Sequence, residues 1–203
     1  SRTHPDGIVY DTTESDLPPL EPAQRRRLRE RQRDLIAWVQ QNQLYNFVID
    51  RFGRVFRIVP ETEYANHAGH SVWVAGDEVY LNLNHSFLGV AAEAGSVRET
   101  AATPAQVHSA GLLTGMLRSR WALPDGNCVT HEMVSVNPDR MLIGYHTDWA
   151  GRFPYEALGL DNPYRRPLPA MATFGFAYDA AFVAALGGGV WPGLELATQE
   201  VMR

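Results

Sequence analysis

The feature that most constrains the fold of this chain is a continuous apolar run at residues 86–93 (SFLGVAAE). A strand that is apolar along its whole length is typical of the centre of a sheet, where both faces are buried. Two helical patterns supply the necessary cover: one opens at Pro22, and a second is capped by Thr103 and opened by Pro104. The chain is therefore predicted to be an α/β protein with a mixed central β-sheet flanked by helices.

Shorter β-rich segments complete the predicted sheet. Residues 46–50 and 54–59 form a predicted hairpin, because Gly53 between them can adopt the positive φ that a tight turn needs. Further strands are predicted at residues 7–13, 78–84 and 128–130, and loops at residues 14–21 and 61–76.

The character of the chain changes after Asp148. The residues that follow hold several prolines, a Gly187-Gly188-Gly189 run and scattered aromatic side chains, with one short helix predicted at residues 182–186. We predict a single domain over residues 1–158 and a Pro/Gly-rich C-terminal extension over residues 159–203 that packs on this core.

Composition excludes several classes of protein. A formal net charge of −5 gives no general attraction to nucleic acid or anionic membranes. Cys128 is the only cysteine, so the chain has no internal disulfide and no multi-cysteine metal cluster. No stretch approaches the roughly 20 apolar residues of a membrane-spanning helix. The chain begins at Ser1 without a Met, so the lack of a visible targeting segment is uninformative.

Histidine and carboxylate residues provide the candidate chemistry. Seven histidines are present, and a catalytic zinc site needs three N, O or S ligands with one position left for water. His131 directly follows a predicted strand, and His146 and Asp148 lie on one side of an extended segment. Spacing alone is weak evidence, because a single histidine is more often structural than metal-binding.

Six short motifs in order resemble those of type-2 N-acetylmuramoyl-L-alanine amidases and peptidoglycan recognition proteins. The resemblance extends over about residues 7–158. The matching segments are residues 45–56 (YNFVIDRFGRVF), 66–69 (NHAG), 84–90 (NHSFLGV), 103–106 (TPAQ), 130–132 (THE) and 146–148 (HTD).

The resemblance implies a zinc ion at one end of a peptide-binding groove. Carried over residue by residue, its second and third ligands fall on His131 and Asp148, and its first falls on Asp11, where the family pattern has a histidine. Aspartate binds zinc through oxygen, so Asp11, His131 and Asp148 form a chemically possible set. The extra negative charge would weaken the ion as a Lewis acid and raise the pKa of its bound water. Asp11 thus has three interpretations: it is a metal ligand, it marks a degenerate metal site, or it results from an engineered His-to-Asp change.

The remaining roles also follow from the resemblance. Tyr45 falls on the family's tyrosine near the metal, and His146 falls on its lysine two residues before the third ligand. Tyr45 or a protonated His146 is expected to stabilise the oxyanion that forms during amide hydrolysis. His67 and Asn84 are expected to bind substrate, with structural roles as the alternative for each. Glu132 is a possible base or a surface carboxylate.

Two functions follow. The first is zinc-dependent hydrolysis of the amide bond between N-acetylmuramic acid and L-alanine in bacterial peptidoglycan. The alternative is a non-catalytic module that binds peptidoglycan or muropeptides through a degenerate metal site. Either function implies a periplasmic, extracellular or cell-wall location, with no nucleic-acid partner and no membrane span.

Overall fold

The computed structural model describes residues 1–14, 25–94, 102–149 and 151–185. Ten strands lie in these residues: β1 (Gly7–Thr12), β2 (Phe47–Ile49), β3 (Val55–Arg57), β4 (Val72–Ala75), β5 (Glu78–Leu81), β6 (Phe87–Ala92), β7 (Cys128–Thr130), β8 (Val136–Asn137), β9 (Leu142–Ile143) and β10 (Ala177–Tyr178). The helices are α1 (Arg25–Gln41), α2 (Pro104–Trp121), α3 (His131–Val134), α4 (Pro169–Phe174) and α5 (Ala180–Ala185).

A five-stranded mixed sheet organises the fold, with the strand order β3-β2-β6-β1-β7. The apolar run predicted as a central strand is β6, which pairs in parallel with β1 on one side and with β2 on the other. Strand β7 continues the parallel pairing beyond β1, whereas β3 is antiparallel to β2. The prediction of a mixed α/β sheet is confirmed.

Helices cover both faces of this sheet, as a buried β6 requires. On one face Val48 and Ala91 pack against Val39 of α1. On the other face lies the main core, to which α2 contributes Leu113 and Leu117. A capping box at Thr103 and Gln106 starts α2, as expected from the sequence. Pro22, predicted to open α1, lies outside the described residues.

Three smaller features differ from the sequence predictions or extend them. Residues 61–76 contain β4, which forms a two-stranded sheet with β5, so the prediction of an uninterrupted loop there is wrong. Strands β8, β9 and β10 form a third sheet that includes part of the C-terminal region. Leu160, Tyr164 and Leu168 from that region are buried in the main core. None of the described helices is long and apolar enough to cross a membrane.

Strand register determines where the functional side chains lie. Because β1 and β7 are parallel and Tyr10 pairs with Thr130, the next residues along the two strands, Asp11 and His131, are neighbours. Both lie towards the carboxyl end of the sheet, the edge at which open α/β sheets bind ligands.

Candidate metal centre

Three residues that are distant in sequence meet at this edge. Asp11 is in β1, His131 is the first residue of α3, and Asp148 lies in the loop after β9. Two contacts hold that loop against β1: Trp149 Nε1 donates to the Tyr10 carbonyl at 3.0 Å, and Thr12 Oγ1 donates to Asp148 Oδ1 at 3.2 Å. The third corner of the site is therefore positioned by β1 itself.

The imidazole of His131 lies between the two carboxylates. Its Nδ1 is 2.9 Å from Asp11 Oδ1 and 2.9 Å from Asp148 Oδ2. All three side chains are at least nine-tenths buried. Yet neither contact has hydrogen-bond geometry, and His131 Nδ1, Asp11 Oδ2 and Asp148 Oδ2 are buried without a hydrogen-bond partner. Buried polar atoms are rarely left unpaired, so convergent unpaired N and O donors fit a divalent cation.

His146 adds a second imidazole to the same place. One nitrogen of its ring, one nitrogen of His131 and one oxygen of Asp148 lie within 4.8 Å of one another. The two rings are stacked, with centroids 4.4 Å apart. Its side chain is 40% exposed, which leaves it accessible from solvent. His146 is thus within reach of an ion and also of a molecule bound above it.

Burial and charge shift the pKa values of this cluster. Burial raises the pKa of Asp11 to about 7, against the opposing effect of His131. Burial acts to lower the pKa of His131, but Asp11 and Asp148 outweigh it and hold the pKa well above its usual value. Burial acts to raise the pKa of Asp148, but His131 outweighs it and the pKa is lowered. The two buried carboxyl groups thus need nearby positive charge, which a proton on His131 or a bound dication provides.

Tyr45 also borders the site. Its hydroxyl donates to the Thr12 carbonyl at 3.2 Å. Burial, reinforced by Asp11 and Asp148, raises the pKa of this hydroxyl well above 10, so Tyr45 remains a hydrogen-bond donor at neutral pH. The backbone of Tyr45 has a φ of 54°, an uncommon conformation for a residue other than glycine. An isolated parallel β-bridge between Leu44 and Asn66 joins this turn to the loop that contains His67.

Of the two residues expected to bind substrate, His67 is among the residues that line the groove, and Asn84 lies behind it. The side-chain oxygen Oδ1 of Asn84 accepts hydrogen bonds from the backbone N–H groups of His67 and Ala68, at 3.0 Å and 2.7 Å. The His67 side chain is 0% exposed, and its Nδ1 lies 3.8 Å from Asp11 Oδ2. The structure therefore brings His67 to the cluster of Asp11, His131 and Asp148 and places Asn84 one step further away, where its side chain holds the His67 backbone.

A groove with a volume of about 640 Å³ lies above the cluster. Asp11, His131, His146 and Asp148 form part of its lining together with Tyr45. Sequence reasoning did not identify several other lining residues, namely Glu14, Asn66, His70, Ser135, Asn137, Asp139 and Tyr145. Most of them lie in loops, where no periodic pattern indicates a direction for the side chain.

The environment of Glu132 fits neither of the two interpretations made from the sequence. It is 0% exposed, so it is not a surface carboxylate. Both of its carboxyl oxygens are buried without a hydrogen-bond partner, and burial raises its pKa to about 8. It is not among the residues that line the groove. Glu132 is thus a neutral buried acid at moderate pH.

Fold and site together define a class: an α/β protein with a candidate metal centre at the carboxyl ends of its parallel strands, on the floor of an open groove. A family model described as N-acetylmuramoyl-L-alanine amidase matches residues 1–150. The chain belongs to the N-acetylmuramoyl-L-alanine amidase family, as its motifs predicted.

Solved structures of similar fold agree with this assignment. AmiD of E. coli, solved with its substrate anhydro-N-acetylmuramic acid-L-Ala-D-γ-Glu-L-Lys, has a TM-score of 0.58 and 20% identity and covers 78% of this chain. This chain covers 58% of the AmiD chain. AmpDh3 of Pseudomonas aeruginosa, solved with anhydromuramic pentapeptide, has a TM-score of 0.56 and 18% identity, over 92% of this chain and 81% of that one. A comparison with curated protein sequences gave no match. At these identities the similar structures show the fold alone.

Proposed function

We propose that this protein is a zinc-dependent amidase that hydrolyses the bond between N-acetylmuramic acid and L-alanine in peptidoglycan. The observation that carries the proposal is the group of unpaired, buried imidazole and carboxylate donors on the groove floor. The family assignment supplies the substrate class. An enzyme that hydrolyses peptidoglycan acts in the periplasm or outside the cell. The ligands of AmiD and AmpDh3 are muropeptides, which supports the same substrate class.

The residues that would hold the ion are His131 and Asp148, together with Asp11. Their side chains are positioned without it, since the His131 nitrogen already lies 2.9 Å from an oxygen of each carboxylate. When bound, zinc supplies a Lewis acid and a water molecule of lowered pKa. Two carboxylates and one imidazole form a more anionic set than two imidazoles and one carboxylate, so we expect a less acidic bound water than in the family pattern.

Tyr45 and His146 are the proposed donors to the oxyanion of the tetrahedral intermediate. Both line the groove beside Asp11 and Asp148. The Tyr45 hydroxyl is protonated at neutral pH, and its one proton, donated to the Thr12 carbonyl in this structure, would turn to the oxyanion when the intermediate forms. Burial and the proximity of His131 lower the pKa of His146, so it acts through a neutral N–H group rather than as a cation. We expect each donor to contribute about 10²–10³-fold to turnover.

Digestion of purified cell walls tests this function. Zinc-loaded protein should release free stem peptides with an N-terminal L-alanine, identified by mass spectrometry. A chelator and the Asp148→Ala variant should each abolish the release. No release from walls or soluble muropeptides, with or without added zinc, would refute the amidase.

Asp11 supports a second candidate function, binding of peptidoglycan or muropeptides without hydrolysis. The family pattern has histidine there, and the substitution makes the site rich in carboxylates. Such a module would sediment with insoluble cell walls in a pull-down while releasing nothing. Stem peptide in the supernatant would exclude it.

A further inference from the structure

One nitrogen of the His67 ring lies beside the candidate metal centre without a hydrogen-bond partner. Its Nε2 lies 3.2 Å from the Phe87 carbonyl oxygen. A carbonyl only accepts hydrogen bonds, so Nε2 carries the proton and Nδ1 has a lone pair in the neutral ring. That Nδ1 is buried and has no hydrogen-bond partner.

The lone pair faces Asp11. His67 Nδ1 lies 3.8 Å from Asp11 Oδ2, which is also buried and unpaired. This distance is too long for a hydrogen bond, and a lone pair facing a carboxylate oxygen is repulsive unless a positive charge lies between them. Two donors to one tetrahedral zinc ion are about 3.3 Å apart at ordinary bond lengths of about 2.0–2.1 Å. The gap therefore suits a shared cation better than direct contact.

The surrounding structure is built to hold the ring in this position. A Cβ atom at Gly89 of β6 would lie 2.6 Å from His67 Cγ, so the ring occupies space that only glycine leaves. The Asn84 side chain fixes the backbone at His67 and Ala68. The Phe87 carbonyl fixes the rotation of the ring. A side chain so closely held is preorganised for a ligand role.

We propose that His67 binds the metal of this site through Nδ1 and so supplies the imidazole that the family pattern places at position 11. The inference rests on the metal site of the proposed function, and it assigns Asp11 to the same ion through oxygen. With His67, Asp11, His131 and Asp148 as ligands, the water of the amidase would be a fifth ligand, a coordination number that catalytic zinc sites can reach. His146 has its side chain 40% exposed on the groove wall, which leaves it free to contact substrate. With His67, the donor set regains two imidazoles, a common composition for zinc.

Nuclear magnetic resonance of the full chain, labelled with ¹⁵N-histidine, tests the assignment. As zinc chloride is added, the Nδ1 signal of His67 should move from the range of an unprotonated nitrogen to that of a metal-bound one, while Nε2 keeps its proton. An unchanged His67 signal while His131 shifts would overturn the inference. If the wild-type protein binds no zinc, both this inference and the zinc-dependent amidase are wrong. Zinc binding at His67 without wall digestion would leave the inference standing and refute only the amidase.

Affinity measurements provide an independent comparison of variants. Competition with a chromophoric chelator should show a loss of more than about 100-fold in zinc affinity for His67→Gln, beyond the roughly 10–100-fold effect of an outer-sphere partner. His85→Gln is the matched control, because His85 is exposed and outside the groove, and its zinc affinity should equal that of wild type. A smaller loss for a folded His67→Gln variant would overturn the ligand role. Circular dichroism establishes whether the His67→Gln variant is folded. The nuclear magnetic resonance titration uses wild-type protein and so does not depend on the folding of a variant.

Discussion

Replacing Gly89 by alanine should destabilise the protein through one identifiable contact. The added Cβ would lie 2.6, 2.8 and 2.9 Å from Cγ, Cδ2 and Cβ of His67. Strand β6 pairs on both sides, with β1 and β2, so its backbone has little room to shift. The His67 ring is held on its other edge by the Phe87 carbonyl. The clash is therefore expected to displace the ring, not the strand.

The magnitude follows from two opposing effects. Overpacking of a well-packed interior costs about 1–3 kcal/mol. A glycine-to-alanine change also restricts the unfolded chain, which stabilises the protein by about 0.4–1 kcal/mol where the backbone conformation suits alanine. We expect a net loss of about 1–2 kcal/mol in the free energy of unfolding, together with weaker zinc binding.

Urea denaturation of four metal-free proteins measures this effect: wild type, Gly89→Ala, His67→Ala and the double variant. Removing the ring should relieve the 2.6 and 2.8 Å contacts and leave only the 2.9 Å contact with His67 Cβ, so Gly89→Ala should cost clearly less in the His67→Ala background. Gly115→Ala is the matched control, because nothing lies within 4 Å of an added Cβ there. In the exposed part of α2 that change should stabilise the protein by about 0.5–1 kcal/mol. An equal cost of Gly89→Ala with and without the His67 ring would refute the steric reasoning.

Three further predictions concern the site and its support. Thr12→Val removes the hydrogen bond to Asp148 and should weaken zinc binding about 10–100-fold in a chelator competition, with little change in fold by circular dichroism. In the metal-free protein the pKa of Glu132 is raised to about 8 by burial, so the folded state holds a proton that the unfolded chain releases near pH 4–5. The contribution of Glu132 to stability is thus present at low pH and falls as pH rises towards 8, and Glu132→Gln should flatten the decline in urea midpoints over that window, whereas an unchanged slope would contradict it. Thr103→Ala removes the capping box of α2 and should cost about 1 kcal/mol in the same assay, and an effect within error of zero would show that the cap does not stabilise the helix.

Asp11 is the position at which this chain departs from the metal-ligand pattern of its family. Register places it beside His131, and the loop anchored by Thr12 and Trp149 brings Asp148 to the same place. His131 therefore contacts both carboxylates, although the family pattern has a histidine at position 11. A second imidazole, that of His67 from a different loop, lies 3.8 Å from Asp11 Oδ2.

Several features of the fold were predictable from local pattern. The apolar run of β6 needs two covered faces, and the structure places α1 and α2 on them. The capping residues of α2 and the short strand β7 before His131 have local signals that do not depend on the rest of the chain. Strand β4 was missed because its four residues are flanked by loop-like sequence and depend on pairing with β5. The two-residue strands β8, β9 and β10 are too short for any periodicity.

The sequence alone determined the α/β class, the family and the identity of His131 and Asp148 as candidate ligands, because these depend on periodicity and on ordered motifs. The same motifs assigned Asp11, Tyr45 and His146 to the site. Tertiary structure alone decided how His67 and Glu132 are placed relative to it. The position of His67 depends on an absent side chain at Gly89 in another element, and the burial of Glu132 depends on helices and loops packed around it. Such contacts join residues far apart in the chain, and spacing along a sequence contains no measure of distance across a sheet.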